Sequence, residues 1–203
     1  MIAIIDYGLG NVGAFLDIYR QLNVPVIRAQ SAGDLAGASK LILPGVGSFD
    51  HAMKSFEDSG MAPTVEKMVA DGTKLLGVCV GMQMLADSSE EGLRPGLGWV
   101  PGRVRRFDPA LIKQATRLPH MGWNDLEVTR VDPITAGLSE ESRFYFLHSY
   151  YLECADPADA IAESTYGIRF SSLVRRGDVY GMQPHPEKSH SFGVRLLKNF
   201  SEL

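Results

Sequence analysis

Short apolar runs alternate with amphipathic stretches through the first half of the chain. Residues 2–6 form a β-branched run, and after a turn at residues 8–11 the apolar residues of 12–22 recur at helical spacing. Further strands are predicted at residues 24–29, 40–43 and 74–78, and further helices at residues 49–58 and 63–70. This alternation predicts an α/β fold in which helices flank a central, mostly parallel sheet.

Residues 99–182 show a different pattern. Their apolar runs are short, β-rich and separated by Gly, Pro and Asp, which predicts extra mixed or antiparallel strands. The last strand is predicted at residues 179–182, and a closing helix at residues 191–200 would bury Val194, Leu196, Leu197 and Phe200. Because no repeat or linker divides the chain, we expect a single domain over residues 1–203.

Composition and charge narrow the functional classes. The 45% hydrophobic and 22% charged content is typical of a globular protein. The net charge of −4, with the longest basic cluster at residues 103–106 on an expected solvated strand or loop, argues against nucleic-acid binding. The N-terminal apolar run meets Asp6 too soon for a signal peptide or membrane span, so we expect a cytoplasmic protein without membrane contact. Cys79 and Cys154 are then expected to be free thiols.

The segment Gly-Val-Cys-Val-Gly at residues 77–81 lies between an apolar run and the helix-forming residues 82–85. It is typical of a nucleophile elbow, in which two glycines remove the Cβ atoms that would clash in a sharp strand-to-helix turn. The start of the following helix is expected to present N–H groups to the sulfur and favour the thiolate. Cys79 is therefore the candidate nucleophile; the alternative is a small buried side chain after a core strand.

A thiolate nucleophile needs a base, and the base needs an orienting partner. His185 follows the strand predicted at residues 179–182, where α/β sheets gather their chemistry. Glu187 lies two residues further on, in a Pro-constrained segment expected to be extended, from which its carboxylate reaches the imidazole. The alternatives are a loop histidine and a surface charge.

The segment Leu-Pro-Gly-Val-Gly at residues 43–47 ends a predicted strand with two glycines. Glycine permits a peptide plane to turn its N–H inward, toward the oxyanion of an attacked carbonyl. Any tight turn between a strand and a helix gives the same pattern, so the segment alone is only weak evidence of a site.

The elbow at residues 77–81, the segment that carries His185 and Glu187, and residues 43–47 together resemble the triad glutaminases of the class I glutamine amidotransferase family. Within the family the sequence looks like the glutaminase subunits of imidazole glycerol phosphate synthases, and the match runs the full length of the chain. Five segments carry this closer resemblance: residues 6–11, 44–49, 77–83, 118–124 and 144–150. Pro184 departs from the family's usual phenylalanine before the catalytic histidine, and residues 11–14 read Asn-Val-Gly-Ala in place of Asn-Leu-Arg-Ser. The resemblance implies a single-domain, flavodoxin-like glutaminase fold.

The resemblance also implies a role for each site residue. Cys79, His185 and Glu187 match the nucleophile, the base and the orienting carboxylate. The remaining matches are an oxyanion hole from the N–H groups of Val80 and of Val46 or Gly47, substrate contacts from Gly45, Gln83, Glu91, Ser149 and Tyr150, and a partner interface and ammonia route at Asn11, Met121, Trp123 and Tyr145. Without the resemblance, Gln83 and Glu91 would be assigned to solvated surface, and Trp123 and Tyr145 to the core.

The implied reaction is hydrolysis of glutamine to glutamate and ammonia through a γ-glutamyl thioester on Cys79. By resemblance the ammonia passes to a separate (β/α)8-barrel cyclase subunit that makes imidazole glycerol phosphate in histidine biosynthesis, and the two chains form a heterodimer. No cofactor is expected. Low activity alone and stimulation by the loaded partner are expected, with a mobile strand at residues 44–47 as the switch.

The other histidines are assigned individually. His51 and His190 are expected to be exposed at helix starts, His120 to lie in the interface loop, and His148 to be a satisfied structural histidine. No pair has metal-ligand spacing with a third ligand, so no metal is expected. Cys154 lacks an elbow and is expected to be inert.

Three rival functions remain open at the sequence level. The first is a stand-alone cysteine hydrolase or peptidase on a flavodoxin-like sheet, which also needs an elbow cysteine and a histidine. The second is a paralogous glutaminase that feeds a sugar amidotransferase. The third, a catalytically dead regulatory subunit, is disfavoured because all three triad residue types are present.

Overall fold

The computed structural model describes all 203 residues, which form three sheets and five α-helices. The strands are β1 (Ile2–Ile5), β2 (Val26–Ala29), β3 (Lys40–Gly45), β4 (Lys74–Cys79), β5 (Ser88–Ser89), β6 (Gly102–Arg106), β7 (His120–Asp125), β8 (Glu127–Val128), β9 (Arg143–His148), β10 (Tyr150–Cys154), β11 (Ala160–Tyr166), β12 (Ile168–Arg176) and β13 (Val179–Met182). The helices are α1 (Val12–Gln21), α2 (Phe49–Asp58), α3 (Ala62–Ala70), α4 (Val80–Gln83) and α5 (His190–Glu202). Short 3-10 turns lie at Ala32–Leu35, Pro109–Leu111, Pro133–Thr135, Pro157–Asp159 and Pro186–Lys188.

The large sheet has eight strands in the order β2-β1-β3-β4-β13-β12-β11-β8. The pairs from β2 to β13 are parallel and those from β13 to β8 are antiparallel. The prediction of a mostly parallel α/β sheet with antiparallel strands from the second half is confirmed. Because β1, β3, β4 and β13 are parallel, their carboxyl ends share one edge of the sheet, where ligands bind in this architecture.

Burial of apolar residues explains why these segments form strands and helices. Leu75, Leu76 and Val78 of β4 are all buried, as expected for a central strand covered on both faces. Helices α1 and α5 pack together, and the Tyr19 hydroxyl donates to the Leu197 carbonyl at 3.1 Å. One contiguous core of 51 buried residues connects the sheet and its helices. No helix has both the length and the apolar content needed to cross a membrane.

Several element boundaries differ from the predicted ones. β2 begins at Val26 because Pro25 has no N–H to donate to the ladder. β3 and β4 run further than predicted, to Gly45 and Cys79. The helix after Cys79 is a single turn. It ends there because the carbonyls of the two residues after it, Met84 and Leu85, accept hydrogen bonds from the loop at residues 97–100 and not from a continuing helix. Those bonds are Leu97 N–H to Met84 at 2.8 Å and Val100 N–H to Leu85 at 3.0 Å.

The two small sheets consist of second-half strands. β7 pairs with β9, and β10 pairs with β6, which also pairs with β5. The basic residues 103–106 lie on β6, where Arg103 and Arg106 are exposed, as expected. A backbone bond of 2.8 Å from His185 N–H to the Tyr145 carbonyl places β9 against the end of β13. The β7–β9 pair therefore lies at the functional edge of the large sheet.

His120 and His148 form a buried pair between β7 and β9. His148 Nδ1 donates to the Tyr150 carbonyl at 2.7 Å, so its Nε2 accepts from His120 Nδ1 at 3.0 Å. His120 stacks on Phe146 and Tyr166. The expectation that His120 lies in an interface loop is wrong, because its ring completes a buried aromatic cluster; the structural role predicted for His148 is confirmed.

The buried histidine pair should make the protein sensitive to acid. Burial lowers the pKa of His120 to about 4 and that of His148 to about 3, and both histidines titrate near 6.5 when unfolded. As the pH falls below 6.5, the unfolded chain therefore binds up to two more protons at these histidines than the folded protein does. The free energy of unfolding then decreases by up to about 2.7 kcal/mol per pH unit.

Urea unfolding between pH 4.5 and 7.5 measures this decrease. His148→Gln, which keeps a donor for the Tyr150 carbonyl, should reduce the slope by about half, since one proton per site accounts for half of the effect. His51→Gln, at an exposed position on α2, is the matched control. Equal slopes for wild type and His148→Gln would contradict the assignment.

Candidate active site

Cys79 adopts a strained backbone conformation at the end of β4. Its φ of 57° and ψ of −114° lie in a region that non-glycine residues rarely occupy. The turn is possible because glycine backbones pack directly on one another. An added Cβ would lie 2.6 Å from the Gly81 carbonyl oxygen at Gly77, 2.0 Å from the Leu43 carbonyl oxygen at Gly81, and 2.4 Å from the Gly81 nitrogen at Gly45. The predicted elbow is therefore present.

The Cys79 sulfur lies among fixed polar groups. Gln183, which is fully buried, directs its side-chain Nε2 at the sulfur at 3.8 Å, and the sulfur lies 4.0 Å from the Leu147 carbonyl oxygen. Gln183 was not predicted as a site residue, and its position two residues before His185 was the only signal in the sequence. α4 is only one turn long, so few peptide dipoles are aligned at its N-terminus beside the sulfur.

His185 and Glu187 form a buried pair beside Cys79. His185 Nδ1 lies 2.9 Å from Glu187 Oε1, and the two side chains are only 4% and 2% exposed. Glu187 belongs to the 3-10 turn Pro186–Lys188, so the expectation of an extended segment is wrong: the turn folds its carboxylate back onto the ring. Burial lowers the pKa of His185, but hydrogen bonds with Cys79 and Glu187 outweigh that effect and raise it to about 10.

The loop that carries His185 is held in place by β9. The His185 N–H donates to the Tyr145 carbonyl, and the Ser189 hydroxyl accepts from the Tyr145 N–H at 2.9 Å while donating to the His185 carbonyl at 2.6 Å. These bonds are buried, since Ser189 has no exposed surface. The position of the imidazole is therefore tied to the β7–β9 pair.

A cavity of about 290 Å³ opens above Cys79. Its lining residues are Val46, Gly47, Cys79, Val80, Gln83, Glu91, Pro119, Leu147, His148, Ser149, Tyr150, His185 and Lys188. The structure thus brings most of the predicted substrate and oxyanion residues together in one pocket. Gly45 is buried behind Val80, and Glu187 lies behind His185, so neither lines the cavity. Four lining residues were not predicted as site residues. Pro119, Leu147 and His148 lie inside the segments at residues 118–124 and 144–150, and Lys188 directly follows Glu187.

Gln83 and Glu91 contribute different atoms to the cavity. Gln83 Nε2 donates to the Tyr150 carbonyl at 3.1 Å and to Gln183 Oε1 at 3.0 Å, so both N–H groups are used and only its carbonyl oxygen remains as an acceptor. Glu91 is half-buried, and its Oε2 accepts from the Phe49 N–H at 2.8 Å. Burial raises the pKa of Glu91, and the bond from Phe49 partly offsets that shift. Neither residue is the solvated side chain expected from sequence alone.

Several apolar side chains are exposed on the β7–β9 pair and at the cavity rim. Met121 is 60% exposed and Trp123 is 44% exposed, and Trp123 stacks on His190 with ring centroids 5.1 Å apart. The core assignment considered for Trp123 is therefore wrong, while Tyr145 is half-buried. Asn11 is exposed directly before α1, away from the cavity lining.

The remaining titratable residues do not form a second centre. His51 and His190 are exposed at the starts of α2 and α5, as predicted. Burial raises the pKa of Cys154 to about 11, which supports an unreactive thiol. No group of three His, Cys, Asp or Glu side chains is arranged to hold a metal ion.

Comparison with known proteins gives consistent similarities. The family model described as glutamine amidotransferase class-I matches residues 3–202. The imidazole glycerol phosphate synthase subunit HisH of Bdellovibrio bacteriovorus is 53% identical over 204 residues, covering 100% of both chains. Subunit HisH 2 of Pseudomonas aeruginosa is 44% identical over the same coverage. A crystal structure of a glutamine amidotransferase superposes with a TM-score of 0.75 at 24% identity, covering 99% of this chain and 97% of that chain.

Proposed function

The chain belongs to the class I glutamine amidotransferases, and from that premise we propose that it is the glutaminase subunit of an imidazole glycerol phosphate synthase. It hydrolyses glutamine to glutamate and ammonia, and supplies the ammonia to a cyclase subunit in histidine biosynthesis. The observation that carries this proposal is the strained Cys79 elbow sharing one cavity with His185, whose ring is held from behind by the buried Glu187. Relatives of 53% and 44% identity over the whole chain support the specific subunit.

In the proposed mechanism the Cys79 sulfur attacks the side-chain amide carbon of glutamine. His185, protonated by virtue of its raised pKa, stabilises the thiolate before attack and gives its proton to the departing ammonia. A γ-glutamyl thioester remains on the sulfur. His185 then takes a proton from water, which attacks the thioester, releases glutamate and regenerates the pair of Cys79 thiolate and protonated His185. Glu187 keeps Nδ1 protonated, so that Nε2 is the ring nitrogen that exchanges the proton.

The oxyanion of the tetrahedral intermediate is assigned to the backbone N–H groups of Val80 and of Val46 or Gly47. All three residues line the cavity, and Gly47 has a φ of 86°, a conformation that suits glycine. One such donor lowers the barrier by about 2.7–4 kcal/mol. We therefore expect movement of the segment at residues 44–47 to switch the enzyme between low and high activity.

Glutamine binding is assigned to the polar groups around the same cavity. Gln83 offers a carbonyl oxygen, Glu91 a carboxylate oxygen that Phe49 does not use, and Ser149 and Tyr150 their backbone groups. Gly45 does not contact the cavity itself, but its lack of a Cβ lets the end of β3 approach Val80 and Gly81 of the elbow. Residues 1–203 act as one glutaminase domain, and no cofactor takes part in these steps.

The partner is assigned to the exposed apolar surface beside the cavity. Met121, Trp123 and Leu147 lie on the β7–β9 pair, and large exposed apolar groups of this kind are typical of protein interfaces. Because neutral water protonates free ammonia, direct delivery into a sealed contact keeps it nucleophilic. The partner is a (β/α)8-barrel cyclase, the assembly is a heterodimer in the cytoplasm, and Asn11 and Tyr145 complete the interface and ammonia route.

This function predicts glutamate release that depends on the partner. The purified chain should hydrolyse glutamine slowly, and the cyclase subunit loaded with its own substrate should raise the rate by roughly 100-fold, the effect expected from one restored oxyanion donor. Glutamate release by the chain alone and by the mixed subunits measures this stimulation. Met121→Glu should lower it, because a charge is costly to bury in the interface.

The matched control is Val131→Glu, at a 95% exposed position that shares a surface hollow with Gly177 at the opposite end of the sheet. This variant should keep the wild-type stimulation.

Hydrolysis of a peptide ester at rates above those for glutamine would favour the stand-alone hydrolase instead. Full activity without a partner would contradict the gating of the oxyanion strand. Ammonia transfer to a sugar amidotransferase but not to the cyclase would identify the paralogous function.

A further inference from the structure

The start of α2 and the loop at residues 91–94 exchange hydrogen bonds through two carboxylates. Asp50, in the first turn of α2, accepts from the Leu93 N–H at 3.0 Å and from the Arg94 N–H at 3.0 Å. In the opposite direction, Glu91 Oε2 accepts from the Phe49 N–H at 2.8 Å. Each segment thus satisfies backbone donors of the other.

These bonds replace the capping that α2 lacks. Ser48, the N-cap residue, makes no side-chain hydrogen bond to the helix, so the Glu91 carboxylate from a distant loop supplies the acceptor for the first N–H. A negative charge at this end of the helix is also favoured by the helix dipole. The position of Glu91 therefore affects the path of the backbone from Val46 and Gly47 into the first residue of α2.

Gly92 allows the loop to approach α2 this closely. A Cβ at Gly92 would lie 1.9 Å from Asp50 Oδ1, far inside any permitted contact. The Leu93 and Arg94 N–H groups lower the pKa of Asp50, so the bonds are made by a carboxylate at neutral pH. A separate ion pair of 2.6 Å joins Arg94 to Glu57 on the exposed side of the loop.

We propose that Asp50 is a positioning residue that holds Glu91 in place for glutamine and, through the Phe49 N–H, ties the loop at residues 91–94 to the oxyanion residues Val46 and Gly47. This inference rests on the proposed function and extends it to a residue outside the cavity. Asp50 itself does not line the cavity, so its effect on glutamine must pass through the loop. Gly47 lies two residues before Phe49, so the bond from the Phe49 N–H to Glu91 directly connects the chain that follows Val46 and Gly47 to the loop at residues 91–94.

The kinetic test compares Asp50→Ala with wild type in the presence of the cyclase subunit. We expect the KM for glutamine to rise about tenfold, as for loss of one well-oriented polar contact worth about 1.4 kcal/mol, and kcat to change by less than about threefold. Asp50→Asn, which keeps the shape and one acceptor oxygen, should have an intermediate effect. Glu57→Gln, which breaks only the ion pair on the same loop, is the matched control and should keep the wild-type KM.

A double-mutant cycle with Gly92→Ala tests whether the contact itself is responsible. Gly92→Ala should raise KM in the wild-type background because its Cβ displaces Asp50. In the Asp50→Ala background the same substitution should change KM by less than about twofold, because the carboxylate with which the Cβ clashes is absent. Independent, multiplying effects of the two substitutions would overturn the assignment.

Hydrogen exchange separates this inference from the proposed function, because it requires no turnover. Asp50→Ala should increase exchange at the Phe49 amide about tenfold, although that amide is bonded to Glu91 and not to Asp50. Unchanged Phe49 exchange would overturn the positioning role even if glutaminase activity is found. Faster Phe49 exchange with no glutaminase activity in wild type would uphold the structural link and refute the proposed function.

Discussion

The Cys79→Ala variant, assembled with the cyclase subunit, is expected to release almost no glutamate, with kcat lower than that of the wild type by roughly 10⁴-fold or more. Without the sulfur no thioester forms, and the remaining cavity offers only binding and oxyanion donors to a direct attack by water. The fold should survive, because alanine fits the space of the 4% exposed cysteine and adopts the same strained backbone at similar cost. Release of glutamate from glutamine, with the loaded cyclase subunit present, measures the loss.

Cys154→Ser is the matched control for this substitution. Cys154 is the only other cysteine, and its sulfur lies 3.8 Å from the Ser171 hydroxyl, outside the cavity that contains Cys79. The variant should retain wild-type kcat and KM. A Cys79→Ala enzyme that still releases glutamate at the wild-type rate would show that the nucleophile has been wrongly assigned.

Glu187→Gln should lower kcat by roughly 10²- to 10⁴-fold, the range for losing the carboxylate that orients a catalytic histidine. The glutamine side chain is nearly isosteric, but it removes the negative charge that helps to raise the pKa of His185. It also places an N–H₂ group where Glu187 Oε2 is now buried without a partner. In that orientation the remaining oxygen still accepts from Nδ1, but as a neutral group it stabilises the imidazolium less. In the opposite orientation the N–H₂ faces Nδ1 and selects the wrong tautomer.

The pH profile of kcat/KM gives this prediction a second readout. Because loss of the Glu187 charge lowers the pKa of His185, the protonated imidazole should be lost at a lower pH, and the alkaline limb of the profile should move toward neutrality. Glu202→Gln on α5, where the side chain is 61% exposed, provides the control. A full-rate Glu187→Gln enzyme with an unshifted profile would remove Glu187 from the catalytic group.

The overall architecture and the catalytic elements were predictable from local patterns. Residues 49–58 and 179–182 form the helix and strand predicted for them, because apolar periodicity reports burial on one face or on both. The glycines at 77 and 81 predicted the elbow because only residues without a Cβ fit there. His185 and Glu187 are two residues apart, so their pairing depends on local backbone more than on the rest of the fold.

What the sequence by itself determined was therefore the set of elements, the elbow and the chemical types of the catalytic groups. The tertiary structure alone placed His120 in a buried cluster, left Trp123 exposed, directed Gln183 at the sulfur and joined Asp50 to the loop of Gly92. The physical reason is that each of these contacts joins segments far apart in sequence. Their periodicity and residue types are equally compatible with other partners, and only the packing of the whole chain selects among them.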